Sequence, residues 1–210
     1  AVSLKIPVVV IGETQDGLDI DIITLDSRKA GSIMAKHLFD LGHRNIAFIS
    51  SPVSEISFSR KRRLEGVADF MQENGIGNNL ITLLGENEQE LSDSSYEFET
   101  GYSLAKKLIE NQKVTAVIGA NDMIAYGAIK AFKEEKIKVP DDISVCGFDN
   151  ISIPGSGTQP LTTIDHCIEQ RCRLAIDLLD DKIKCKTKMP MKINYEPVLI
   201  KGETTANAKI

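Results

Sequence analysis

Residues 116–127 read AVIGANDMIAYG. A short apolar run, AVIG, gives way to Asn121-Asp122 and then at once to a segment that packs Met, Ile and Ala at helical spacing. A strand that ends in small polar side chains and turns directly into a helix is the βα unit of an open parallel sheet. At the carboxyl ends of such strands the loops splay apart and helix N-termini offer unpaired N–H groups, so ligands bind there. The stretch therefore places a binding site before it names a ligand.

The unit repeats outward in both directions. IPVVVIG (6–12) is a β-branched, continuous run of the kind buried in a parallel sheet, and DIITLD (21–26) is a weaker second one. SRKAGSIMAKHLFDLGH (27–43) sets Ala30, Ile33, Met34, Leu38 and Leu41 at helical spacing and closes on Gly42. Strands follow at 45–50, 80–85, 115–120 and 143–149, and helices at 62–76, 99–111 and 122–137. A further helix over 165–183 carries Ile168, Cys172, Ala175, Ile176 and Leu179 on one stripe, and EPVLIKGET (196–204) reads as a last strand. Strict alternation of this kind specifies an α/β fold: parallel sheets, right-handed crossovers and helices on both faces.

Composition sets limits on function. The 210 residues are 42% hydrophobic and 26% charged, which is ordinary globular material rather than disorder. A net charge of −5 argues against bulk attraction to nucleic acid or to an anionic membrane. No apolar run reaches the roughly 20 residues that span a bilayer, and the first residues lack the order of a signal peptide, so a soluble, cytoplasmic protein without a membrane partner is expected. Cys146, Cys167, Cys172 and Cys185 form no CxxC pair and have no histidine pair beside them. Reduced thiols are expected, with no metal and no cofactor.

Four strand ends carry polar residues that converge on one edge: SSPVSEISFSRKRR (50–63), NEQELSDSSYEFE (87–99), Asn121-Asp122 and Asp149-Asn150. Each has a plain alternative. The RKRR run is commonly a solvated helix entry; Tyr96, in a polar loop, could be a small hydrophobic anchor; Asp122 most simply caps its helix; Asn121 could satisfy loop backbone groups. Strings for the nucleotide, zinc-protease or serine-hydrolase chemistries, namely GxGxxG, Walker A, HExxH and GxSxG, are absent, so no enzyme is expected.

HLFDLGHRNIAFIS (37–50), RRLEGVADFMQENGI (62–76), TAVIGANDMIAYGAIKAFKEEKIKVPDDISVCGFDN (115–150) and PLTTID (160–165) resemble, in order and spacing, the effector-binding domain of the lactose-repressor-like (LacI/GalR) transcriptional regulators. The resemblance covers nearly the whole chain. It implies a type I periplasmic-binding-protein-like fold of two Rossmann-like lobes, with a small molecule held between them. Residues 1–44 with 165–192 would form the first lobe, and residues 45–164 with 193–210 the second, with crossings near 43–45, 162–165 and 193–196. Family members begin with a DNA-binding head and the first strands of lobe one. This chain opens at IPVVVIG, so the resemblance implies a first lobe that is incomplete in these residues, and contact with operator DNA only through the head.

Carried over residue by residue, the effector contacts fall on Arg63, whose planar fork suits a sugar hydroxyl or a carboxylate, and on Ser59 nearby. Tyr96 matches the aromatic that packs on the effector, and Asn121 and Asp149 match the amide and carboxylate that fix hydroxyls or ring nitrogens. Arg60 and Arg62 keep the solvated reading. The resemblance implies a sugar, sugar phosphate or nucleobase as effector, and a homodimer with surface from helix 66–74 and segment 92–110. A solute receptor feeding a transporter is the alternative, distinguished by a secretory signal in place of a DNA-binding head.

Overall fold

The computed structural model describes residues 6–13, 19–53, 58–86, 94–111, 114–151, 159–184 and 189–209. Cys185 and residues 54–57 and 87–93, parts of two of the expected polar loops, lie outside them. In chain order the elements are β1 (Val9–Ile11), β2 (Asp21–Leu25), α1 (Ser27–Asp40), β3 (Ile46–Ser50), α2 (Phe58–Glu73), β4 (Leu80–Leu84), α3 (Ser94–Asn111), β5 (Ala116–Gly119), α4 (Asp122–Glu134), β6 (Ser144–Cys146), β7 (Thr163–Asp165), α5 (Ile168–Ile183), β8 (Lys192–Tyr195) and β9 (Val198–Ile200). They fall into two compact units, residues 1–26 with 166–197 and residues 27–165 with 198–210.

The smaller unit is a parallel sheet in the order β1-β2-β8 with α5 packed against it. Its core joins Ile23, Ala175 and Leu178, with Val9, Leu174, Ile193 and Tyr195 half-buried around them. The stripe expected on α5 is rotated: Ala175 is buried, but Ile168 and Ile176 are exposed, and the inward face runs Arg171, Ala175, Leu178. Arg171 turns the helix because its guanidinium donates to the carbonyls of Ile23 at 3.2 Å and His166 at 3.4 Å. Sequence periodicity treats such a residue as solvent-facing. At the amino end of β2 the buried Asp21 is held by Lys182 at 2.8 Å and by the Met191 N–H at 2.7 Å.

The larger unit is built on four parallel strands in the order β4-β3-β5-β6. Ile46 lies opposite both Leu80 and Ala116, and Ala116 opposite Ser144, so the strands start level and end along one edge. β3 and β5 are buried throughout, which is why their sequences are continuous apolar runs rather than alternating ones. From β3 the chain moves outward to β4, then crosses back to β5, so the order reverses between β3 and β5. That is the switch point of a doubly wound sheet. A parallel bridge from Cys146 to Thr162 leads on to β7, which pairs antiparallel with β9.

α1 packs on α2, and α3 on α4, each pair through reciprocal glycines. A Cβ on Gly31 would stand 2.0 Å from the Arg63 carbonyl oxygen and one on Gly66 1.8 Å from that of Arg28. In the other pair, Gly101 faces the Ile124 carbonyl at 2.1 Å and Gly127 that of Phe98 at 2.0 Å. The first contact groups α1 with α2 in the larger unit, and the two compact units divide at 26/27, 165/166 and 197/198.

At the amino edge of the larger sheet, the buried His43 sits between Thr115 Oγ1 at 2.9 Å from Nδ1, and Ser144 Oγ and the Ala206 carbonyl, each at 3.0 Å from Nε2. Burial holds its pKa below the ordinary histidine value. The C-terminal tail is tied here as well: Val145 N–H donates to Thr204 O at 2.8 Å, and Ala208 N–H to Leu41 O at 2.8 Å.

Candidate functional site

The opposite edge of the larger unit collects most of the residues singled out in the sequence. α2 begins at Phe58, not 62, and α3 at Ser94, not 99, so Ser59 and Tyr96 lie on the first turns of helices rather than in loops. Ser59 stands one turn before Arg63 on α2 and is half-buried, as is Tyr96.

Arg63 is buried, 7% exposed, and organises the edge. Its Nη1 donates to the Ala120 carbonyl at 2.5 Å, at the end of β5, while its Nη2 faces Asp149 Oδ1 at 3.4 Å. The guanidinium lies over the buried Phe148 ring, 4.9 Å from its centroid. Asp149 itself adopts φ 118° and Asn150 φ 54°, left-handed backbone that a non-glycine residue holds only where its surroundings fix it. Three bonds do so: Asp149 N–H to Ile164 O at 3.0 Å, Asn150 N–H to Thr163 Oγ1 at 3.3 Å, and Ile151 N–H to Asp122 Oδ2 at 2.9 Å. Burial raises the Asp149 pKa; Arg63 and Arg60 pull it back, and Glu97 pushes it up.

Asn121 caps α4, its Oδ1 accepting from the Ile124 N–H at 2.9 Å. The capping role expected of Asp122 belongs to Asn121, whose amide nitrogen is the end of the side chain left to donate. Asp122 instead turns inward, 1% exposed, and accepts from Thr163 Oγ1 at 2.6 Å as well as from Ile151. Burial raises its pKa to about 7 against those two hydrogen bonds. A carboxyl whose folded pKa lies above its unfolded 3.8 lends stability that is full below about pH 4 and lost as pH rises through about 7. Urea midpoints measured at pH 5 and pH 8 should therefore fall more steeply in the wild type than in Asp122→Asn. Equal slopes in the two proteins would contradict this assignment.

Sequence reasoning missed a second charged group at the same edge. Glu97, on the first turn of α3, takes the Arg60 guanidinium on Oε1 and the Ser51 hydroxyl on Oε2, the latter at 2.6 Å. Arg60, given a solvated role from sequence, is thus an inward residue with its side chain 19% exposed. Nothing local in SYEFET marks Glu97 as buried; only the spacing of three between Arg60 and Arg63, once α2 is extended to 58, aims both arginines one way.

A doubly wound sheet with an arginine fork, a carboxylate and a helix-capping amide at its carboxyl edge has the donors and acceptors that a small polar molecule requires. Residues 35–205 match the periplasmic binding protein-like domain, and the chain belongs to that family. It is 31% identical over 204 residues to the HTH-type transcriptional regulator DegA of Bacillus subtilis (strain 168), covering 97% of this chain and 58% of that one. To the HTH-type transcriptional repressor PurR of Histophilus somni (strain 2336) it is 35% identical over 196 residues, covering 93% and 56%. The crystal structure of a LacI family transcriptional regulator from Enterococcus faecium with bound ribose superposes with a TM-score of 0.83 at 25% identity, covering 97% of this chain and 71% of that one. The chain thus spans somewhat over half the length of these curated relatives.

Proposed function

We propose that the chain is the effector-binding and dimerisation domain of a LacI-type transcriptional repressor, sensing a sugar or sugar derivative. The observation that carries this reading is the Arg63–Asp149 pair at the switch-point edge, with Asn121 beside it on the next strand end. A donor fork, an acceptor carboxylate and an amide suit a polyhydroxylated ligand, and Ser59 and Tyr96, one on each neighbouring helix, supply a hydroxyl and a flat apolar face. The ribose held by the Enterococcus faecium protein is in keeping with this chemistry. A transport receptor is the weaker reading, because the relatives above are regulators. For the same reason the domain is a sensor rather than an enzyme, working in the cytoplasm; among the described residues no helix is long and apolar enough to cross a membrane.

In this reading DNA contact belongs to a head outside these 210 residues, duplicated by a homodimer so that two half-sites are read at once. Effector binding shifts the domain between two states of unequal DNA affinity. The 210-residue chain alone should show no operator affinity at physiological salt, since it is acidic overall. The intact protein should bind a near-palindromic site selected from a random pool, and the effector should move that affinity by roughly 5- to 150-fold. Fluorescence anisotropy on both proteins tests this. Specific binding by the chain alone, or an intact protein indifferent to DNA and to every sugar in a thermal-shift screen, would leave the transport receptor as the better account.

A further inference from the structure

Two arginines stand one turn apart on α2, and each already meets a carboxylate. Arg63 faces Asp149. Arg60 is paired with Glu97, whose second oxygen is taken by Ser51, and the two side chains of that pair are 19% and 11% exposed. The pairs form one cluster rather than two, because Arg60 and Glu97 both act on the Asp149 carboxyl, in opposite directions. Among the described residues, these two cations and two anions balance in formal charge. A fifth group, Asp122, is close enough to feel both Asp149 and Arg63.

Charge balance of this kind selects ligands. A hydroxyl that reaches the Arg63 fork and Asp149 together can accept from the one and donate to the other. A phosphate finds both guanidiniums compensated and two carboxylates beside it, and like charges set together in a buried site repel. We propose that Glu97 is a specificity-determining residue: by neutralising Arg60 it restricts this edge to uncharged polar ligands, an unphosphorylated sugar rather than its phosphate ester. The inference rests on the reading of this edge as the effector site, and Glu97 acts through Arg60 rather than by touching the ligand.

The test uses the full-length protein and matched probes: ribose with ribose 5-phosphate, glucose with glucose 6-phosphate, and fructose with fructose 6-phosphate, screened by thermal shift and titrated by calorimetry. In the wild type the free sugar of the active pair should bind at least about tenfold more tightly than its phosphate. Glu97→Gln keeps an oxygen for Arg60 and removes the charge; it should narrow that ratio to within about threefold, chiefly by a gain in phosphate affinity. Arg60→Gln, which leaves Glu97 uncompensated, should widen the ratio instead, a direction that general damage to the fold would not produce. A wild-type protein that prefers the phosphate overturns the proposal whatever the variants do, and so does a Glu97→Gln protein that folds with an unchanged ratio. If no probe of any pair binds the wild type, the sugar-effector reading fails, and this inference with it.

Discussion

Arg63→Ala is expected to weaken effector binding by about 2 to 4 kcal/mol, roughly thirty- to thousandfold. The substitution removes a buried fork that reaches two strand ends at once, the Ala120 carbonyl on one side and Asp149 on the other. Asp149 would then be left half-desolvated without its nearest cation, and the main-chain carbonyl of Ala120 without its guanidinium donor. Arg63→Lys should recover little, because a single ammonium cannot satisfy two acceptors aligned with a planar fork. Asp149→Asn separates charge from shape: it keeps an oxygen facing Arg63 and should cost less than the arginine loss. Calorimetric titration with the sugar found by the screen decides the matter. Wild-type affinity in Arg63→Ala would remove this edge as the effector site. Because Arg63 also ties α2 to β5, its unfolding midpoint should drop as well, and affinity must be measured well below the transition.

The glycine contacts carry the second large effect. In Gly66→Ala the new methyl would stand 1.8 Å from the Arg28 carbonyl oxygen, a main-chain atom locked in the α1 ladder, and Gly127→Ala would bring one to 2.0 Å from the Phe98 carbonyl. Neither atom can swing aside as a side-chain tip would, so the helices must part. Parting α1 from α2 loosens the buried Met34, Ala35, Leu38, Val67 and Met71, and overpacking of this sort costs about 3 kcal/mol. Urea titration of each variant should show a clear fall in midpoint at unchanged slope. A midpoint equal to the wild type would show that the helix pairs have slack these distances do not reveal. Each pair also carries part of the proposed site, since α2 bears Arg63 and α3 bears Glu97. Any surviving Gly66→Ala protein should therefore bind its effector less tightly.

The parallel sheet was legible because β3 and β5 are buried on both faces, which forces runs such as AFI and AVIG that no other element needs. Arg63, Asn121 and Asp149 were singled out through polar segments after strands together with the family resemblance, and the structure brings α2 and the two strand ends to one edge. What sequence could not show was orientation. The first turns of α2 and α3 are polar, and a polar first turn reads as loop until a partner helix is seen covering it. Arg171 on α5 and Arg60 on α2 are charged residues turned inward, each toward an acceptor distant in sequence, which local patterning does not reveal. Asn121 and Asp122 are neighbours of nearly equal capping power. Only the position of Thr163, forty-one residues on, shows which of them turns inward.

The tail that ends beside His43 has a bearing on synthesis. The larger unit owns residues 27–165, yet its last strand and tail are residues 198–209, made after the whole of α5 and β8 in the other unit. A nascent chain can pair β3 through β6 as they emerge. It cannot supply β7 with its antiparallel neighbour, or give Val145 and Thr162 their partners on Thr204, until residues 198–204 are free. Completion of this unit therefore waits until residues 198–209 have left the ribosome. A chain cut short at 197 would keep its effector edge in sequence but expose the backbone of β7, and that open strand is what quality-control proteases and chaperones would meet first.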